Sequence, residues 1–213
     1  MVKLLLENGA DWKIATNDGW TPLNVASNNG HVEMVKLLLE KGADWTVGTN
    51  DGWTALNAAS CNGHVEMVKL LLEKGADWMA GTNNGWTPLN AASINGHVKV
   101  VKFLLEKGAD WTTGTNNGWT PLINAAWNGH AGVVNLLLEK GADHTVVDND
   151  GWTPLHAASA DGHTEVVKLL LENGADWKIA TNDGWTALNV ASNNGHVEVV
   201  TPAREGSGLD NRK

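Results

Sequence analysis

The residues that could do chemistry recur at a fixed interval. His31, His64, His97, His130, His163 and His196 stand thirty-three residues apart. Six imidazoles would suit a divalent metal if they converged, but stacked units hold successive copies roughly 10 Å apart, far beyond shared coordination. The spacing therefore argues against a metal centre. Cys61 is the one cysteine. A thiolate nucleophile needs a base and oxyanion donors around one pocket, and a repeated scaffold supplies no unique pocket. No reaction, cofactor or metal is expected.

The tryptophans carry the other repeated signal. Trp20, Trp53, Trp86, Trp119, Trp152 and Trp185 follow a turn glycine, Trp12, Trp45, Trp78, Trp111 and Trp177 follow Gly-Ala-Asp, and Trp127 stands alone. Copies roughly 10 Å apart make the first column a ladder about 50 Å long. With ~100 Å² exposed on each ring, six rings would form an apolar stripe of about 600 Å², large enough to mark a binding surface. Alternatively, each indole packs against the next turn and rigidifies it. Identity within one chain fits both readings.

A period of thirty-three residues defines the elements that hold these side chains. In residues 49–81, Asn50-Asp51-Gly52 offers positive-φ residues for a tight hairpin turn. Thr54 is placed to cap a helix, and four units follow that threonine with proline, Pro22, Pro88, Pro121 and Pro154, suited to a first helical position. A first helix through Leu56, Ala58 and Ala59 ends at Asn62-Gly63, its alanines admitting a close neighbour. A second helix, Val65 to Lys74, sets Val65, Val68, Leu71 and Leu72 on one stripe, with Glu66 and Lys69 on the wet side.

Bulk properties set the class. The 213 residues form one elongated array in which each unit buries its face on its neighbours. A net charge of -9 disfavours a nucleic-acid partner. The longest apolar runs fall far short of the ~20 residues of a membrane span. A single cysteine and the absence of a secretory pattern in residues 1–20 place the chain inside the cell, in the cytoplasm.

The run TPLN-x-AS-x-NGHVE-x-VKLLLEKGAD resembles the ankyrin repeat, G-x-TPLH-x-AA-x-x-GH-x-EVVKLLL-x-x-GAD, over residues 1–200. The resemblance implies an all-α solenoid of helix–turn–helix units with hairpin fingers, the fingers and first helices building a concave face that binds proteins. It also implies that the histidines bond between loops, that the second tryptophan column packs fingers on the stack, and that the first lies where the family often makes contacts. His156 alone keeps TPLH; Asn24, Asn57, Asn90 and Asn189 replace that histidine and are expected to bond backbone instead. His144 interrupts the second column and should leave one finger looser or more polar.

Specificity is sought where the units differ. Asn28, Cys61, Ile94, Trp127, Ala160 and Asn193 share one position at the end of the first helix, facing the groove in the family. Polar ends thus flank an apolar middle suited to a central apolar anchor. The finger positions Lys13, Thr46, Met79, Thr112, Thr145 and Lys178, and likewise Asp18, Asp51, Asn84, Asn117, Asp150 and Asp183, carry charge toward the ends. Unit four departs most, with Ile123-Asn124-Ala125-Ala126-Trp127 and with Gly132 where other units have Glu or Lys, as a local hot spot or by drift. The expected partner-binding residues are Trp53, Trp86, Trp119, Trp152, Cys61, Ile94, Trp127, Ala160, Met79 and Thr112.

By the period, residues 17–181 hold five complete units, 1–16 and 182–200 partial ones, and 201–213 a non-repeat flexible tail in which Pro202 breaks the helix. Residues 2–34 and 167–199 differ only at Pro22/Ala187 and Met34/Val199, as copying within an array would produce. Such DGWTPLN units are similar to the carboxy-terminal arrays of fungal NOD-like receptors. That similarity implies a sensing fragment of a larger nucleotide-binding receptor as the alternative to a stand-alone binder. Substrate delivery to a separate catalytic domain is a third reading, and end-to-end self-association a further expectation.

Overall fold

The structure, a computed structural model, describes residues 2–200 and the side-chain surroundings of residues 3–198. Met1 and the tail expected at 201–213, with Pro202, lie outside the described residues. Thirteen helices follow in order: α1 Val2–Glu7, α2 Pro22–Asn28, α3 Val32–Glu40, α4 Ala55–Cys61, α5 Val65–Glu73, α6 Pro88–Ile94, α7 Val98–Glu106, α8 Pro121–Trp127, α9 Ala131–Glu139, α10 Pro154–Ala160, α11 Thr164–Glu172, α12 Ala187–Asn193 and α13 Val197–Val200. First helices stack in the chain α2, α4, α6, α8, α10, α12, and each packs on its own second helix.

Local chemistry sets where the first helices begin and where both helices of a pair stop. Thr54 accepts a bond from the Asn57 backbone, and the Asn57 side chain returns to the Thr54 backbone, a capping box shared by α2, α4, α6, α10 and α12. In α8 the third residue is Ile123, so only the threonine half survives. First helices close on glycine: Gly96 at φ +72° lets its N–H reach Ser93 O at 3.2 Å and the His97 N–H reach Ala92 O at 3.0 Å. Second helices end the same way, with Ala76 N–H bonded to Leu71 O.

One expectation is extended and another corrected. The α5 stripe of Val65, Val68, Leu71 and Leu72 packs on the core, Val68 and Leu71 fully and Val65 and Leu72 in part, and Met67, which the sequence reading left out, is fully buried beside them. Because α5 packs on both α4 and α7, its dry face lies between these neighbours rather than beneath one of them. In the finger, Gly52 alone has positive φ, and no non-glycine residue described does. The turn runs Thr49 to Gly52, closed by Gly52 N–H to Thr49 O at 2.8 Å, so Asn50 and Asp51 keep ordinary φ and the glycine alone absorbs the reversal. Among the described residues the fingers form no strand beyond one bridge, Ala180 to Thr186.

Candidate functional site

The fingers are built from the turn outward. Thr49 N–H donates to Trp53 O at 3.0 Å, and the Trp53 N–H donates to Thr49 Oγ1 at 3.1 Å. That clamp fixes the tryptophan at the finger base. In unit five Asp148 replaces the threonine and accepts from Trp152 N–H at 2.8 Å.

Successive fingers are joined by a feature that sequence reading missed. Asn50 Nδ2 donates to Asn17 O at 2.9 Å, and Asn83, Asn116, Asn149 and Asn182 each donate to the asparagine carbonyl one unit before at 3.0 Å. The backbone adds a second bond at each junction, as in Asn83 N–H to Asp51 O at 2.9 Å. This asparagine ladder makes the finger row continuous. The available signal was an asparagine that never varies to aspartate, while the next residue does.

Five of the six histidines in the row bridge units as expected. His64 Nε2–H donates to Asn28 O at 3.0 Å, and His97, His130, His163 and His196 reach Cys61, Ile94, Trp127 and Ala160 carbonyls at 2.8–2.9 Å. The carbonyls they hold belong to the variable position at the end of each first helix. Among the described residues, no three His, Cys, Asp or Glu side chains gather as a metal set.

The tryptophan columns separate by environment. Trp12, Trp45, Trp78 and Trp111 of the second column pack half-buried on the core, and Trp177 is 56% exposed. His144 takes the same half-buried place, its Nδ1 buried without a partner. In the first column, Trp20, Trp53, Trp86, Trp119 and Trp152 are half-buried and Trp185 is 42% exposed. The rings are therefore neither covered nor free. Trp119 packs on the core, and so does Trp127.

Of the other candidates, Cys61, Ile94 and Trp127 are half-buried. Cys61 Sγ accepts from Asn95 Nδ2 at 3.3 Å, and burial pushes its thiol above the usual range against that bond. Ala160, expected to line the groove, is 5% exposed and offers almost no surface, because its small side chain stops at the floor between its neighbours. Met79 is 60% exposed at its finger. Thr112 is exposed, but its hydroxyl is spent on Asp110 Oδ1 at 2.7 Å, a bond that with the Thr112 N–H holds the Asp110 carboxyl below its ordinary value.

Unit four gathers aromatic rings. Trp127 meets Trp119 at 5.2 Å between centroids and Trp152 at 5.8 Å, and Trp152 meets His156 at 6.0 Å. Trp127 thereby bridges units four and five where Ile123 forfeits a bond: Asn57 and Asn90 donate to Trp86 O and Trp119 O at 3.1 and 3.2 Å, and isoleucine cannot.

His156 reproduces the asparagine's role, donating from Nε2 to Trp185 O at 3.0 Å while Nδ1 accepts from Thr153 N–H at 3.2 Å. Burial lowers its pKa below 6.5, partly opposed by the carbonyls of Trp185 and Ile179 and by the Asp148 charge. Protonation would also turn Nδ1 from acceptor to donor, facing a donor. Since the unfolded chain takes up this proton first, stability should fall as pH drops below about 6.5. Thermal melts from pH 7.5 to 5.5 are expected to shift less in His156→Asn than in the parent chain.

The pockets follow the repeat. Trp12, Thr21, Leu23 and Val47 line a cleft of about 420 Å³, and its counterpart two units on, between Trp78, Thr87, Leu89 and Thr113, has about 30 Å³. Neither gathers a catalytic set. Among the described residues, no helix is long and apolar enough to cross a membrane.

Stacked helix pairs packed on their neighbours, with turns projecting from one edge, define a helical repeat protein. The chain belongs to the ankyrin repeat family: the family model for ankyrin repeats, which spans three copies, matches residues 1–82, 78–148 and 141–202. No curated protein matches the chain. Ankyrin repeats generally mediate protein–protein interaction and are typically not enzymes.

Proposed function

We propose that this chain is a protein-recognition module whose partner docks on the first-helix and finger-base face, with Trp53, Trp86, Trp119, Trp152, Cys61, Ile94 and Trp127 as its contact residues. The carrying observation is that these rings and apolar side chains stay half-buried in a row, leaving aromatic surface that the fold itself does not consume. Ala160 lies beneath this row, and Met79 and Thr112 extend it at the finger edge. The array is ordered before binding, so little entropy is lost on its side, and a few aromatics should dominate affinity. No reaction is involved, and the chain acts inside the cell.

A photo-crosslinking side chain tests the face. Placed at Ile94 it should capture the partner, and placed at Lys36 on the second-helix surface it should not. Equal capture from both would refute the assignment.

The near-identity of residues 2–34 and 167–199 favours an array expanded by copying, in keeping with the sensing role of the receptor arrays it resembles. An upstream nucleotide-binding domain in the full transcript would support that role. Leu4 and Leu5 are 63% and 52% exposed at one end and Leu188 is 45% exposed at the other, surface suited to end-to-end self-association. Sedimentation of the 213-residue chain as a monomer at 100 µM, an arbitrary working concentration on the order of weak affinities, would exclude such pairing.

A further inference from the structure

We propose that unit four carries a discrete recognition site for a primary amide, formed by Asn124 with the rings of Trp119, Trp127 and Trp152, which takes a glutamine or asparagine side chain of the partner protein. The inference rests on the reading of the first-helix face as the docking surface and adds the chemistry of one subsite.

Asn124 is the observation that carries it. The residue is fully buried at 0% exposure, and neither Oδ1 nor Nδ2 has a hydrogen-bond partner. Its counterparts Ala58, Ala91 and Ala157 are equally buried but have no polar atoms to satisfy. An unpaired buried amide is a cost that alanine does not carry, and folding gains nothing from it. The local sequence shows how it arose: PLINAAW reads as the PLNAAS of unit three with an isoleucine set before the asparagine. The shift removes the amide from position 123, where Asn57 and Asn90 serve the fold, and frees it at position 124.

The shift places Asn124 three residues before Trp127, on one face of α8. Trp127 is also the one tryptophan outside the two columns, and among the described residues tryptophan rings meet only here. A buried amide and an aromatic cluster thus coincide in the unit whose sequence departs most.

Ligand chemistry follows from the inventory of groups. A carboxamide offers two N–H donors and one carbonyl acceptor, and its full complement is another carboxamide, bonded N–H to O in both directions. An anion finds no cation on the finger tips beside the rings, Asn116-Asn117 and Asn149-Asp150, and the one buried carboxylate nearby, Asp148, already accepts from the Asp150 and Trp152 N–H groups through Oδ1. A sugar would bring several hydroxyls, yet His156 has spent both ring nitrogens on Thr153 and Trp185. One amide among rings suits one amide on an apolar segment. Asn124 has no exposed surface, so entry requires the side chains over it to turn aside, a rotamer change of the kind common at interfaces.

The test uses the 15N-labelled 213-residue chain and two blocked peptides, acetyl-Leu-Gln-Leu-amide and its methionine counterpart, which matches glutamine in length but lacks the amide. The glutamine peptide should shift the Asn124 side-chain NH₂ signals, assigned by their loss in Asn124→Ala, and should bind about tenfold more tightly than the methionine peptide. Asn124→Ala, which installs the residue of units two, three and five, should keep the folded spectrum and erase that preference. Equal binding of both peptides to the wild-type tryptophans would overturn the amide site while leaving the protein-recognition reading intact. A preference surviving in Asn124→Ala would overturn it equally. If neither peptide moved the Asn124 NH₂ signals or any indole N–H signal, the amide site would fail, while the docking face itself stands or falls with the crosslinking at Ile94.

Discussion

Gly96→Ala should lower stability by roughly 3 kcal/mol, against about 1–2 kcal/mol for Gly108→Ala. Both glycines sit at positive φ, +72° and +92°, where an L side chain is strained. They differ in what an added Cβ would meet. At position 96 it would lie 2.6 Å from His130 Nδ1, whereas at position 108 nothing lies within 4 Å. His130 cannot retreat freely, because its Nε2 is bonded to Ile94 O at 2.9 Å and moving the ring breaks the bridge between units three and four. The comparison isolates the close approach from the backbone cost. At a few degrees of melting temperature per kcal/mol, calorimetry should separate the two variants. Equal losses would mean that the histidine row yields without consequence.

Leu104→Ala is the second large effect. Leu104 is fully buried in α7, so truncation should cost about 2–5 kcal/mol through lost transfer energy and the cavity left behind. The consequence for the shape of unfolding is more specific. In an array each unit is stabilised by its own core and its neighbour interfaces, so a weakened third unit uncouples the units on either side. Urea unfolding of Leu104→Ala should therefore broaden or split, with a lowered apparent m-value. A single steep transition displaced along the urea axis would show that coupling survives the loss.

Much of the fold was legible because its signals are local or periodic. The capping threonines, the prolines that open four first helices, the glycines that close α1 to α12 and the thirty-three-residue period each name a boundary without reference to anything distant. The histidine bridges were legible through family resemblance, and the asparagines at 57 and 90 do bond backbone of the next unit.

What escaped depends on stacking. The Asn83 side chain reads as a turn former until a neighbouring finger presents the Asn50 carbonyl to it. The full burial of Met67 rather than Leu72 follows from where α7 lies, and a helical wheel of one unit has no information about that neighbour. Ala160 sits at the variable groove position by alignment but is too short to reach the surface there. The tryptophan ladder had two readings in sequence because exposure is a property of the spacing between units. Half-burial of five of its six rings is what that spacing produces.

The central claim, that this row of rings is the docking surface, is tested most directly by Trp86→Ala/Trp119→Ala. Affinity for a partner isolated on the parent chain should be measured with far-UV circular dichroism on the same sample. The expected result is a loss of about a hundredfold or more in affinity with the helical signal retained. Undiminished binding by the folded double variant would contradict the claim, and unfolding of the variant would assign the rings to structure instead.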